Sequence, residues 1–563
     1  MKINGAVKQI PVWVILICLA TLVFGIAGHA LWTADEPREA EIAREMSEVI
    51  EGLIFGAEPG VRASWAVPYL AEKPFVEKPP LYYWLSALMM LTAGKLVGSA
   101  VAARALSALS AGLTLMVVWS TVRDYLDRHR AAMAVVILAT MAGFFQAAHW
   151  ILIDPLLMLL VTCAVLFLFR GFNRDRPGLL LAGYLAAGLA FLTKGFVAWG
   201  VLFIPWVVIL IQFRRHPIRR PILHLVALIL LVGPALAWAI AFYGQGGDEL
   251  WNEWFINNNI GRFSGQTTHS HIRGPLYYFG IAPVLLLPWI VVLVGRIFQP
   301  PERNAREKSL GERGLLKVCF AWAVGGFILL SLAGTKRDIY LYPLLPGFAL
   351  LCVFSLRRLP RWVDVVYSVL CPILLLPAVV LTFISPVIRP GDFSIAWEFK
   401  PLVLFFSIVG VLAYLHLNRN LVARLAAVTG IFYLTAIFAV FPLIDAVKDY
   451  EPATRRISTL IPETSRHRVC GWHTDETTRA IFSFYTGLTV PELRDKLDPD
   501  KNLARLARIL NGEDPEYDLV LVLLKRKRSF PPEGMPVASY RTISEEKMGR
   551  NRRLLLLSGG KVD

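Results

Sequence analysis

The chain has 563 residues, of which 56% are hydrophobic, with a mean hydropathy of +0.54 and a formal net charge of +16. That apolar balance excludes an ordinary soluble domain and places most of the chain in a bilayer. The basic residues stand in short clusters between apolar runs instead of forming one stripe, so they point to membrane topology and away from nucleic acid.

Apolar runs of roughly 18 or more residues, enough to cross about 30 Å of hydrocarbon as helix, recur from Pro11 to Pro442. The first follows Lys2 and Lys8 and continues to Ala30. It is too long for a signal-peptide core and has no small-residue cleavage site, so it reads as the first span. After the polar loop that begins at Thr33, the segment Leu81 to Val97 decides the topology. If it spans, every later loop changes side; if it lies along the surface, the next span is Val101 to Val122. In the second case the loops "RDYLDRHR", "RGFNRDRPG", "FRRHPIRRP", "GRIFQPPERNAREKSLGERGLLK", "RRLPRW" and "NRNLVAR" all fall in the cytoplasm, with about twenty Lys and Arg against about six acids, as the positive-inside rule requires. About 13 spans follow, at roughly 11–31, 101–122, 131–149, 155–170, 178–193, 196–213, 222–243, 276–295, 316–334, 339–356, 363–385, 401–416 and 421–443.

This bookkeeping gives a transmembrane domain over 1–445, with outer loops 33–100 and 244–275, and a soluble outer domain over 446–563. The tail has strand-like runs at Tyr517–Leu524 and Arg552–Ser558 and an amphipathic stretch at Pro499–Leu510, which predict a small α/β domain. Five cysteines lie in apolar segments and only Cys470 in the tail, without CxxC spacing, so no disulfide framework or cysteine-metal site is implied. No internal repeat pairs the two halves, which argues against a transporter or flippase built from repeats without removing that reading.

The unusual charges gather at one face, and charge at a membrane boundary is a functional hypothesis in itself. Asp35 and Glu36 follow the first span, with Arg38, Glu39 and Glu41 at helical spacing; they suit a carboxylate that accepts a nucleophile's proton or orients it, and suit a helix start better still. In "EKPFVEKPPLYYW" the prolines hold Glu77 and Lys78 in a rigid turn, where Lys78 can meet a phosphate or anchor at the interface beside Tyr82, Tyr83 and Trp84. Asp154 precedes Pro155 at a span start, and Lys194 interrupts two apolar runs. In the loop "NIGRFSGQTTHSHIRG", Arg262, His269, His271 and Arg273 sit among aromatics and amides; a His pair at i, i+2 is a weak metal signal. Lys336 and Arg337 place positive charge on the outer side against the topological bias, where a lipid phosphate or Asp338 would offset it.

Taken in order, Asp-Glu after the first span, Glu-Lys-Pro before a surface helix, Asp-Pro, Thr-Lys-Gly, "NIGRF" and "TKRDIYLYPLLP" resemble the bacterial C-type glycosyltransferases related to protein O-mannosyltransferases (PMT-like), and within them the ArnT-like lipid A aminoarabinose transferases. The resemblance covers essentially the whole chain. It implies a polytopic C-type fold in the inner membrane, its site and tail facing the periplasm. It also implies inverting transfer of a sugar, 4-amino-4-deoxy-L-arabinose or similar, from undecaprenyl phosphate to lipid A or another envelope glycan. Asp35, Asp154 and Arg38 would form the catalytic set. Lys78, Arg262 and Lys336 would neutralise the lipid phosphate, with Glu36, Tyr82, Lys194, Arg337 and Tyr340 completing the substrate-binding set. Glu77 and His271 would be the ligands of a divalent metal, zinc by ligand type. The implied partners are the polyprenyl-phosphate sugar, the glycan acceptor and membrane lipids, with no nucleic acid, no nucleotide or organic cofactor, and a monomeric chain. Asn259 stands where the lipid A branch usually carries a histidine, and "EKPPLYYW" is closer to the wider family. A mannosyl- or hexosyltransferase acting on protein or polysaccharide is the alternative.

Overall fold

A computed structural model describes residues 9–32, 34–56, 64–213, 221–261, 272–299, 309–356, 359–384, 400–417, 420–493, 499–531, 540–549 and 551–559. The chain opens with α1 (Val12–Val23), then α2 (Asp35–Phe55), a hairpin of β1 (Tyr69–Leu70) and β2 (Lys73–Pro74), and α3 (Leu81–Val97). The apolar helices follow as α4 (Ser99–Tyr125), α5 (Arg128–Ala139), α6 (Ala142–His149), α7 (Asp154–Asn173), α8 (Pro177–Lys194), α9 (Phe196–Phe213) and α10 (Pro221–Asn252), the last running into a π-helical stretch, Glu253–Gly261. Next come α11 (Tyr277–Leu285), α12 (Ile290–Ile297), α13 (Leu310–Phe320), α14 (Gly326–Leu332), a 3-10 turn at Asp338–Leu344, α15 (Leu345–Ser355), α16 (Arg361–Ile384), α17 (Lys400–His416) and α18 (Leu421–Ala439).

Among the described residues eight helices are long and apolar enough to cross a membrane, and two bent pairs raise the number to ten if each pair is one span. The protein is therefore a multi-pass helical membrane protein, with fewer full-length helices than the 13 spans expected. Part of the shortfall is length: α1 has 12 residues and α17 has 17. The rest is shape. The expected span 131–149 is broken between α5 and α6 by 68°, and 276–295 between α11 and α12 by 117°. Pro283 and Pro288 supply no N–H to a continuous helix there. The breaks satisfy each other's freed groups: the Ala142 N–H donates to Leu287 O (2.9 Å), the Trp289 indole to Thr140 Oγ1 (2.9 Å), and the Tyr433 hydroxyl to Thr140 O (3.1 Å). Non-helical backbone survives at membrane depth only where protein supplies such partners.

Helix α2 starts with Asp35 and Glu36 in its first turn, favourable against the helix dipole, and ends at Gly56, whose φ of 71° suits glycine. Its buried residues Ala40, Ala43, Met46 and Val49 share one core with Tyr83, Ala87 and Met90 of α3, Ala102 and Leu106 of α4, Ile151 and Ile153 before α7, and Ala480 of the tail. Helices α7, α8 and α10 close tightly on glycine: a Cβ on Gly183 would meet Leu168 N at 2.9 Å, and one on Gly188 would meet Leu230 O at 2.4 Å.

The tail continues through α19 (Phe441–Lys448), α20 (Glu451–Thr459), β3 (Val469–Trp472), α21 (Glu476–Thr486), α22 (Pro499–Leu510), β4 (Leu519–Lys525), β5 (Tyr540–Met548) and β6 (Arg552–Gly559). The sheet order is β3-β4-β6-β5, with β3 and β4 parallel and the other pairs antiparallel. Leu519, Leu521 and Leu523 enter one core and Val520, Val522 and Leu524 the other. Burial of both faces explains why these strands read as unbroken apolar runs instead of alternating.

Candidate functional site

The first turns of α2 and α7, the last turn of α8, the turn after β2 and the 3-10 turn at Asp338 bring together charges scattered over 300 positions of sequence. Asp35 is shared by two guanidinium groups: Oδ1 accepts from Arg38 (2.7 Å) and Oδ2 from Arg337, 302 residues away. Burial works against its ionisation, yet Arg337, then Arg38 and Lys78, outweigh it and hold the carboxyl down at about 2. At neutral pH Asp35 is a fixed anion with little appetite for a proton.

Lys78, in the turn after β2, donates to Oε1 of Glu39, one turn along α2 from Asp35 (2.6 Å), and the buried Tyr83 hydroxyl donates to the other oxygen of the same carboxylate (2.7 Å). The backbone of that turn is tied to the far loop by Asn258, whose amide donates to Val76 O (3.3 Å). Asp154, at the start of α7 with Pro155 behind it, pairs with Lys194 at the end of α8, and the lysine lies 4.2 Å from the centroid of Tyr340. Lys78 and Arg337 are within electrostatic reach of Lys194, as is Asp154 of Arg337. Asp35, Arg38, Lys78, Asp154, Lys194, Arg337 and Tyr340 thus form one cluster, which Glu77 joins through its field on Arg38. Lys78, Lys194 and Arg337 each meet one carboxylate, and ammonium and guanidinium groups so paired keep donors for a further anion.

Other candidates stand elsewhere. Glu36 points into protein, where it accepts from Arg104 (2.9 Å), the Trp32 N–H (2.8 Å) and the Ile151 N–H (3.0 Å). Arg104 spends its remaining donors on the carbonyls of His29 and Ala30. This buried ion pair fixes the chain between α1 and α2. Tyr82 is fully buried, its ring packed edge-on to Tyr83. Lys336 turns away from the cluster to the carbonyls of Arg273 and Ala333, beside the Ile272–Thr335 bridge. Arg262 and His271 lie outside the described residues. Among the described residues no three His, Cys, Asp or Glu side chains are grouped to hold a metal ion.

Three contributors escaped sequence reasoning: Arg104, Asn258 and Glu476. A lone arginine in the apolar span 101–122 was a legible signal for the first. Nothing marked the others. Glu476 of α21 reaches across to Arg38 (3.1 Å), and the neighbouring Thr477 hydroxyl donates to Ala34 O (3.2 Å).

Residues 77–238, which contain Lys78, Asp154 and Lys194, match the family described as dolichyl-phosphate-mannose-protein mannosyltransferase. An undecaprenyl phosphate-alpha-4-amino-4-deoxy-L-arabinose arabinosyl transferase of Serratia proteamaculans is 30% identical over 61% of this chain and 60% of its own length. One from Proteus mirabilis is 26% identical over 74% of this chain and 73% of its own. The match therefore spans less than two thirds of the Serratia relative. Among solved structures, ArnT from Cupriavidus metallidurans bound to undecaprenyl phosphate superposes with a TM-score of 0.72 at 18% identity, covering 98% of this chain and 99% of that one.

Proposed function

From this kinship with the PMT-like, ArnT-like glycosyltransferases, whose fold the chain shares from end to end, we propose that it transfers a sugar from undecaprenyl phosphate to an envelope glycan, with 4-amino-4-deoxy-L-arabinose as donor sugar and lipid A as acceptor. The observation that carries the reading is the pairing of Asp35 with Arg337 next to that of Asp154 with Lys194, since such a cluster of cations and carboxylates suits a lipid phosphate. An acceptor oxygen attacks the anomeric carbon, the bond from that carbon to the phosphate oxygen breaks with inversion, and undecaprenyl phosphate departs as a monoester anion, which takes up the acceptor's proton where that oxygen is a hydroxyl. Lys194, Arg337 and Lys78 stabilise the charge where it develops. Asp35, too acidic to hold a proton, orients the nucleophile. An apolar cavity of about 200 Å³ between α7, α8, α9 and α10, lined by Leu168, Tyr184, Trp199 and Trp206, suits a short stretch of the polyprenyl tail.

In this reading α1, α16 and α17 also cross the inner membrane, which with the eight long helices and two bent pairs gives the expected 13 passes, and α3 lies on the periplasmic surface. The cluster and the C-terminal domain then face the periplasm, and the chain works as a monomer. Glu77 and His271 would be the ligands if zinc is used. The mannosyltransferase description matched by residues 77–238 favours a second reading, hexosyl transfer to protein.

Purified protein given radiolabelled undecaprenyl-phosphate aminoarabinose and lipid A tests the first reading. Wild type should label lipid A, and Asp35→Asn should lose about 100-fold or more in kcat, the scale of removing a preorganised charged group. Label on protein, or no transfer at all, sinks it.

A further inference from the structure

The tail does more than cover the membrane domain. Where α21, the β5–β6 hairpin and the start of α20 meet the entry to α2, they form a second, half-open cavity of about 300 Å³, lined by Ala34, Tyr450, Asp475, Thr477, Asn551 and Arg552. Its size lies at the lower end of ligand pockets, about 300–1,000 Å³. Ala34 is the residue before Asp35, and its carbonyl is tied to Thr477 in the opposite wall. The cavity therefore reaches to within one residue of the cluster, with its walls drawn from two parts of the chain more than 400 positions apart.

Its chemistry is that of a sugar site. Asp475 accepts from the N–H and hydroxyl of Thr478 (2.8 and 2.7 Å) and pairs with Arg552. Burial opposes its ionisation, but Thr478 and Arg552 keep the carboxyl below its usual range, so the cavity holds a stable anion beside a cation. Asn551 adds an exposed amide, and Tyr450 a half-buried ring. Behind that ring is Gly549, at φ +63°, where a Cβ would come within 3.0 Å of the Tyr450 hydroxyl. Glycine suits both the positive φ and this close approach. Paired ionic acceptors and donors, a planar amide and an aromatic ring together match the vicinal hydroxyls and apolar face of a pyranose.

We propose that this cavity holds the sugar head group of the acceptor, so that the soluble domain selects what Asp35 acts on. The proposal rests on the transfer reading above. Asn551→Trp fills the cavity from an exposed turn, and Tyr450→Phe removes one hydroxyl; both are assayed in detergent with radiolabelled undecaprenyl-phosphate aminoarabinose and purified lipid A. Asn551→Trp should raise the acceptor KM about tenfold or more, leaving donor KM and kcat at saturating acceptor within about twofold, and Tyr450→Phe should raise the acceptor KM about threefold. If Asn551→Trp lowers the melting temperature, Asn551→Ala takes its place, with about a threefold rise expected. A folded variant with an unchanged acceptor KM overturns the proposal alone. Wild type that transfers nothing overturns the reading beneath it, and this proposal too.

Discussion

Two guanidinium groups on one carboxylate decide what Asp35 can do. With its folded pKa held at about 2, against about 3.9 in an unfolded chain, its pairing stabilises the protein by about 2 kcal/mol above pH 4, and that contribution is lost as pH falls through 2. The difference in melting temperature between wild type and Asp35→Asn should therefore be full at pH 6 and shrink steadily between pH 4 and pH 2; a constant difference would contradict the pairing. The same depression separates an orienting role from a proton-accepting one, because transfer by wild type should show no acid limb from Asp35 above about pH 4. Lys194 poses the complementary case. Lys194→Met leaves Asp154 buried without a partner, which typically costs about 3–5 kcal/mol, whereas adding Asp154→Asn should restore most of the melting temperature and none of the transfer. Recovery of both would make the pair purely structural.

At the scale of elements, α21 is the one whose placement matters most. Its first turn touches Ala34 and Arg38, and Thr489 beyond it meets Glu72 at 3.3 Å, so it docks along the outer surface of α2 and the β1–β2 hairpin. Glu476→Ala should lower kcat about three- to tenfold with donor KM unchanged, and should add nothing in an Arg38→Ala background, whereas Thr489→Val should leave kcat alone. An additive double mutant would deny that Glu476 acts through Arg38. The membrane helices obey a different rule. Because Leu230 O already stands 2.4 Å from where a Cβ on Gly188 would be, Gly188→Val must separate α8 from α10, and a cost of about 1–3 kcal/mol should appear as a lower melting temperature in detergent. Transfer should fall with it, since α8 carries Lys194.

For the whole molecule, the orientation carries the functional reading. Reporters fused after residue 563 and within loop 244–275 should both report the periplasm, and reporters in 300–308 and 357–358 the cytoplasm; a cytoplasmic tail would separate α21 from Asp35 and undo the site. Much of this architecture was legible in the chain. Long apolar runs mark spanning helices because hydrocarbon must be crossed at about 1.5 Å per residue, and clustered arginines assign sides. Asp35, Lys78, Asp154, Lys194 and Arg337 stood out because charge at a membrane face needs a reason. The helix Pro499–Leu510 and the runs that became β4 and β6 were visible for the same kind of local cause, periodicity and unbroken apolarity. Sequence did not reveal the breaks at Thr140 and Pro288, since each is tolerated through hydrogen bonds from elements distant in the chain. Nor did it separate Asp35 from Glu36, adjacent and alike, of which one faces the cluster and the other Arg104. Composition and periodicity act locally and so determined the apolar helices and the candidate charges. Which charges meet depends on how distant helices pack, and only the tertiary structure could decide that.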